Sequence, residues 1–154
     1  GKKGWLYDDF FARLDRSPAK QAVIFPGWVA DADLPAVYAG ASALAFPSEF
    51  EGFGLPVLEA MACGAPVVCS NTSSLPEVAG DAALLVDPLD TDALTVALRR
   101  VLSEPGLASA LRRRGAAQAG RFSWTRTAQE TVAVYEQILA RPSARGRSAA
   151  AGKG

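Results

Sequence analysis

Two carboxylates, Glu51 and Glu59, stand with seven residues between them inside residues 47–70, PSEFEGFGLPVLEAMACGAPVVCS. Between them lie Gly52 and Gly54, whose missing Cβ lets backbone N–H groups approach an oxygen-rich ligand. Pro56 occupies a favoured first position of a helix. The free N–H groups and partial positive charge at such a helix start suit a diphosphate. Glu59, about one turn into that helix, can accept both hydrogen bonds of a vicinal diol, as a ribose or a hexose presents. A carboxylate in this place also neutralises the helix dipole, so Glu59 alone singles out no ligand. The combination of loop, helix start and two acids carries more than either residue.

Other chemistries are poorly supplied. The chain contains no histidine, which removes the usual acid–base residue and the commonest metal ligand. Two cysteines, Cys63 and Cys69, are too few for a metal cage and read as buried thiols of a reducing compartment. The net charge of zero hides an asymmetry: residues 1–98 hold 5 basic and 13 acidic side chains (−8), residues 99–154 hold 11 and 3 (+8). Solvated arginine-rich helix faces explain such a split, and contact with an anionic surface such as the inner leaflet of a membrane is the second explanation. No apolar stretch is long enough to span a bilayer and no secretory leader opens the chain, so a cytosolic protein is expected, with the inner membrane face as a secondary place.

The elements that must position the two acids follow from periodicity and punctuation. Strand-like and helix-like segments alternate through the first hundred or so residues, the signature of a parallel sheet with covering helices. Residues 7–14 read as a short helix. Val23, Ile24 and Phe25 read as a strand ended by Pro26 and Gly27, and Asp31 or Asp33 can cap a helix through Leu34, Val37 and Tyr38. Strands are expected at 43–46, 66–69 and 83–86. A helix from Pro56 to Cys63 stops at Gly64, residues 70–74 form a polar loop, and Pro76 and Glu77 open a single helical turn. Asp90 and Thr91 cap a helix with apolar positions Leu94, Ala97, Leu98, Val101 and Leu102, broken at Pro105 and Gly106. A second helix runs to about Gly120. Ser123 caps a last one with a stripe of Ala128, Val132, Tyr135 and Leu139. Residues 141–154, rich in Ala, Gly, Ser and Arg, should be disordered.

Residues 47–70 resemble the signature of the large family of retaining glycosyltransferases of GT-B fold, glycosyltransferase family 4, also described as glycosyl transferases group 1. Its hallmark is a glutamate pair separated by seven residues, here within EGFGLPVLEAMACGAPVV. The resemblance extends over residues 1–140, through VIFPGWV (23–29), ALAFPS (43–48), SSLPEVAGDAALLVDPLD (73–90) and RFSWTRTA (121–128). It implies a partial nucleotide-sugar-binding domain at residues 1–140, with a Rossmann-like parallel sheet, covering helices and a long final helix.

The implied roles follow residue by residue. Glu59 would hold the ribose hydroxyls of the nucleotide, and Glu51 would contact hydroxyls of the transferred sugar. Backbone amides of Phe53, Gly54 and Leu55, beside Gly52, would touch the sugar, and those of Leu55 and Val57 would face the diphosphate. Gly27, Trp28 and Val29 would flank the base, where Trp28 could stack. No bound metal is implied. Displacement on the front face, with the leaving phosphate helping to deprotonate the acceptor, makes Glu51 a sugar-contacting residue rather than a nucleophile. The donor would be of the GDP-mannose or UDP-glucose type, with GKKGW at the start leaning towards mannosyl transfer. The acceptor would be a saccharide or a lipid-linked one, and no nucleic acid is implied.

The resemblance also lacks parts. A first, acceptor-binding domain has no counterpart here, nor do the first two strands of the second domain with their basic diphosphate-gripping pair; Lys2 and Lys3 do not match that pair. In the strand order 3-2-1-4-5-6 this leaves three adjacent strands and a detached one at residues 23–25, and an uncovered stripe on the last helix. A fragment inactive by itself is therefore expected. The competing reading from another class is a non-catalytic module that binds a nucleotide sugar or a partner. A dehydrogenase is disfavoured, because no glycine fingerprint follows a first strand. Tyr38 and Trp124 read as packing residues, and Asn71 and Thr72 as weak ligand candidates at a strand end.

Overall fold

Three short β-branched or apolar runs become the sheet. In a computed structural model that describes residues 7–140, β1 (Leu44–Phe46), β2 (Val67–Ser70) and β3 (Ala83–Val86) pair in parallel in that order. Leu44 lies opposite Val67, and Val67 opposite Ala83. All four residues of β2 are buried, as expected for the central strand of a sheet covered on both faces.

Alternation along β2 divides the core in two. Val67 and Cys69 pack with Val57, Ala60 and Met61 of α3 (Leu55–Ala62) and with Leu75, Val78 and Ala79 of α4 (Leu75–Ala79). Val68 points the other way, to Ala97 and Val101 of α5 (Thr91–Ser103) and Leu111 of α6 (Pro105–Ala119). Helix α6 also reaches the first layer, where a Cβ on Gly115 would lie 3.2 Å from Met61 Cγ. The buried Gln118 donates its side-chain amide to the Val78 carbonyl at 2.9 Å. The layered α/β class read from the sequence is the observed one.

The expected caps at two helices form. Asp90 accepts a hydrogen bond from the Ala93 amide at 2.8 Å at the start of α5. Ser123 accepts one from the Arg126 amide at 3.1 Å at the start of α7 (Trp124–Leu139). Asp33 precedes α2 (Leu34–Ala39) without any side-chain cap bond, so neither aspartate expected there acts as one.

The detached strand does not form. Residues 23–29 lie outside the sheet after a 3₁₀ turn at Lys20–Ala22, and Ile24 is 82% exposed. Extended backbone without a neighbouring strand among the described residues has no ladder to complete, and ring contacts gather at its apolar end. Phe25 packs on Phe11 of α1 (Asp8–Asp15), centroids 5.3 Å apart, and Phe10 and Tyr7 join the cluster edge-on. Helix α7 buries no residue, and Val132, Tyr135 and Leu139 of its stripe face solvent as expected. The residues compared with family features at 1–5 and the tail at 141–154 lie outside the described residues.

Candidate functional site

Parallel pairing puts the loops after β1 and β2 at one edge of the sheet, and hydroxyl groups join them. Thr72 Oγ1 donates to the Glu49 carbonyl at 3.1 Å. Ser73 Oγ accepts from the Glu51 amide at 3.1 Å. Ser74 Oγ lies 3.0 Å from the Glu51 carbonyl and 2.9 Å from that of Phe53, a shared donor to both. Three consecutive side chains thus hold the backbone of alternate residues, Glu49, Glu51 and Phe53, in the loop that carries Glu51. Ser73 adopts φ +52°, the only non-glycine residue at positive φ among those described, so strain sits in the clamp itself.

Gly54 ends that loop as the residue before α3, at φ +104° and ψ +42°. A Cβ there would stand 2.6 Å from Leu75 Cδ2, so both backbone conformation and space require glycine. Pro56 follows in the first turn of α3, where its missing N–H costs no helical hydrogen bond. The helix begins one residue earlier than expected, at Leu55.

The sequence-derived residues fall into two groups. Gly52, Phe53, Gly54, Leu55, Val57, Glu51 and Glu59 lie on one continuous loop–helix segment. Val57 is fully buried and faces the core, and its amide donates to the Gly54 carbonyl at 3.0 Å, so that amide is not free for a diphosphate, contrary to expectation. Leu55 and Phe53 are partly exposed, and the Phe53 ring stands edge-on to Phe122 with centroids 5.9 Å apart. Glu51 is half-buried with its backbone engaged, and neither Glu51 nor Glu59 has an ion-pair partner among the described residues. Gly27, Trp28 and Val29 form the second group. Gly27 turns the chain at φ +72°, Val29 is half-buried, and the Trp28 ring is 78% exposed with no ring partner among the described residues.

Tyr38 has a second role that packing logic misses. Its ring sits against the first core layer, and its hydroxyl donates to Glu59 Oε2 at 3.2 Å. Burial, the Glu59 hydrogen bond and the Glu59 charge together raise the Tyr38 pKa above its ordinary value. Trp124 departs from expectation too. As the first residue of α7 it is 78% exposed instead of packed, and with Phe53, Leu58, Glu59 and Phe122 it lines a cleft of about 470 Å³ between α3 and α7. Of the two thiols, Cys69 is fully buried and Cys63 only half so, because Cys63 follows the last turn of α3 and escapes the core. Burial pushes the Cys69 thiol up to about 12.

The hydroxyl clamp was only partly legible. Asn71 and Thr72 are the polar residues that the strand end singles out, whereas the structure gives the clamping to Thr72, Ser73 and Ser74; Asn71 donates its backbone N–H to the Val86 carbonyl at 2.8 Å. Among the described residues no group of His, Cys, Asp and Glu is arranged to hold a metal, and no helix is long and apolar enough to cross a membrane.

Comparison with known proteins meets this geometry. The O-antigen chain mannosyltransferase B of Escherichia coli is 43% identical over 138 residues, which cover 90% of this chain and 36% of that protein. The MMP alpha-(1->4)-mannosyltransferase of Mycolicibacterium hassiacum is 44% identical over 120 residues, 75% of this chain and 29% of that one. The structure of sucrose-phosphate synthase from Thermosynechococcus elongatus superposes with a TM-score of 0.80 at 30% identity, covering 91% of this chain and 36% of the other. The chain thus spans about a third of the length of the relatives it matches. With residues 10–118 matching glycosyl transferases group 1, and the loop–helix segment of the two glutamates inside that match, the chain belongs to that glycosyltransferase family.

Proposed function

We propose that this chain is the donor-binding part of a retaining hexosyltransferase of glycosyltransferase family 4, with Glu51 and Glu59 as its glutamate pair. The observation that carries the reading is the clamped loop. It stands at the carboxyl edge of a parallel sheet, where such folds bind ligands, and ends at a helix start with two acids that have no cationic partner among the described residues. Two relatives are named mannosyltransferases, which favours a GDP-mannose type of donor over a UDP-glucose type.

In this reading the diphosphate lies at the start of α3 against the Leu55 amide, Glu59 takes the ribose hydroxyls and Glu51 takes hydroxyls of the sugar. The bond from the anomeric carbon to the diphosphate oxygen breaks while the acceptor oxygen adds on the same face, and the acceptor proton passes to the departing diphosphate. The protein's share is orientation and electrostatic stabilisation of the leaving group. The acceptor, a saccharide or lipid-linked one made into polysaccharide, would be bound by a domain outside this chain, which would be inactive without it. Arg99, Arg112 and Arg113 are exposed without ion pairs among the described residues and are the charges through which an anionic membrane face would be met.

Calorimetric titration of the chain with GDP, UDP, GDP-mannose and UDP-glucose tests the reading. Saturable binding of the guanosine pair is expected, weakened about tenfold or more by Glu59→Ala. A well-folded chain that binds none of them would sink the donor reading and leave a partner-binding module.

A further inference from the structure

We propose that Tyr38 is a positioning residue of the donor site, its hydroxyl holding one oxygen of Glu59 so that the carboxylate meets the vicinal hydroxyls of the nucleotide's ribose in a fixed orientation. The inference rests on the donor-binding reading and deepens it. Glu59 is exposed, a flexible side chain whose carboxylate water could satisfy without help. Tyr38 is the only side chain among the described residues that hydrogen-bonds to it, across 21 positions of sequence and from a different helix. The two ends of the contact differ in freedom. The tyrosine ring is lodged between α2 and the core layer of α3, β1 and β2, so its hydroxyl has little room to wander.

The stoichiometry of the contact suits a diol. The tyrosine hydroxyl uses one acceptor site on Oε2, and an ionised carboxylate offers about four in all. Oε1 and the remaining site of Oε2 stay open for two ligand hydroxyls. An ammonium or guanidinium in the same place would neutralise the acid; a neutral phenol orients it and leaves its charge available. The raised pKa of Tyr38 keeps that phenol a donor throughout the neutral range.

Pre-orientation predicts a loss confined to the ribose hydroxyls. The chain and its Tyr38→Phe variant are titrated with GDP and with 2′,3′-dideoxy-GDP, alongside Glu59→Ala and the double variant, with thermal melting of each. The variant should bind GDP about three- to tenfold more weakly and bind the dideoxy nucleotide as the unaltered chain does. In the Glu59→Ala background, Tyr38→Phe should change neither affinity. Equal losses on both nucleotides, no loss on either, or failure of the variant to fold would overturn the positioning role, since each assigns the hydroxyl to α2–α3 packing or to nothing. If the unaltered chain binds GDP but does not distinguish it from the dideoxy form, the ribose role of Glu59 fails and this inference with it. If it binds neither, the donor reading itself has failed.

Discussion

Two turns in this molecule begin alike and end differently. Val23-Ile24-Phe25 leads through Pro26 to Gly27, and Leu44-Ala45-Phe46 leads through Pro47 to the loop closed by Gly54. Both glycines have positive φ. The second turn follows a paired strand, is clamped by three hydroxyl side chains and lies over a filled core. The first follows a segment that pairs with no strand among the described residues, and the ring of Trp28 beside its glycine is exposed. An apolar triplet and a turn therefore specify a bend. They do not specify a rigid one, which requires a neighbour strand and a second loop.

The largest effect should come from replacing the two glycines. Gly54→Ala must pay for left-handed backbone and for a Cβ at 2.6 Å from Leu75, so urea unfolding should show a loss of about 3 kcal/mol or more. Gly27→Ala, at φ +72° with nothing within 4 Å, should cost about 1 kcal/mol. Equal costs would mean that the Gly27 turn is as tightly built as the other.

Beneath the clamped turn, β2 carries Cys69, whose thiol burial pushes up to about 12 from an ordinary 9.0. The folded pKa of this acid is raised, so its stabilisation is complete below the unfolded pKa and is lost as pH climbs through the interval up to the folded one. Between pH 9.0 and 12, stability should fall by about 1.4 kcal/mol per unit from this group, and Cys69→Ala should flatten that slope in denaturant titrations. A slope unchanged by the substitution would show that the core under the turn admits the thiolate.

Ser74→Ala removes the shared donor to the Glu51 and Phe53 carbonyls and should cost about 1–2 kcal/mol. Faster hydrogen exchange should appear in residues 49–54 and spare residues 23–29. Trp28→Ala should leave stability within about 0.5 kcal/mol, since the ring is 78% exposed, while weakening nucleotide affinity if the ring stacks on the base. A large stability loss there would reverse the contrast between the two turns.

Much of the fold, and the chemical identity of the site, can be read from residues that act over short distances. Asp90 and Ser123 cap their helices because a short polar side chain at a helix start lies within reach of the amide three residues on. Gly54 and Pro56 announce a loop entering a helix, and the runs at 43–46, 66–69 and 83–86 announce strands, of which only the central one is buried along its whole length. The glutamate pair stands on one such local segment, which is why its loop and helix were legible. Tertiary structure alone decided that residues 23–25 form no strand, that Trp124 faces solvent, and that Thr72, Ser73 and Ser74 grip the loop of Glu51. It alone joined Tyr38 to Glu59. These contacts link positions more than 20 residues apart, and no periodicity encodes them. They exist because β1 and β2 pair in parallel, which carries both following loops to the same edge of the sheet, whereas residues 23–25 meet no strand among the described residues with which to build a ladder.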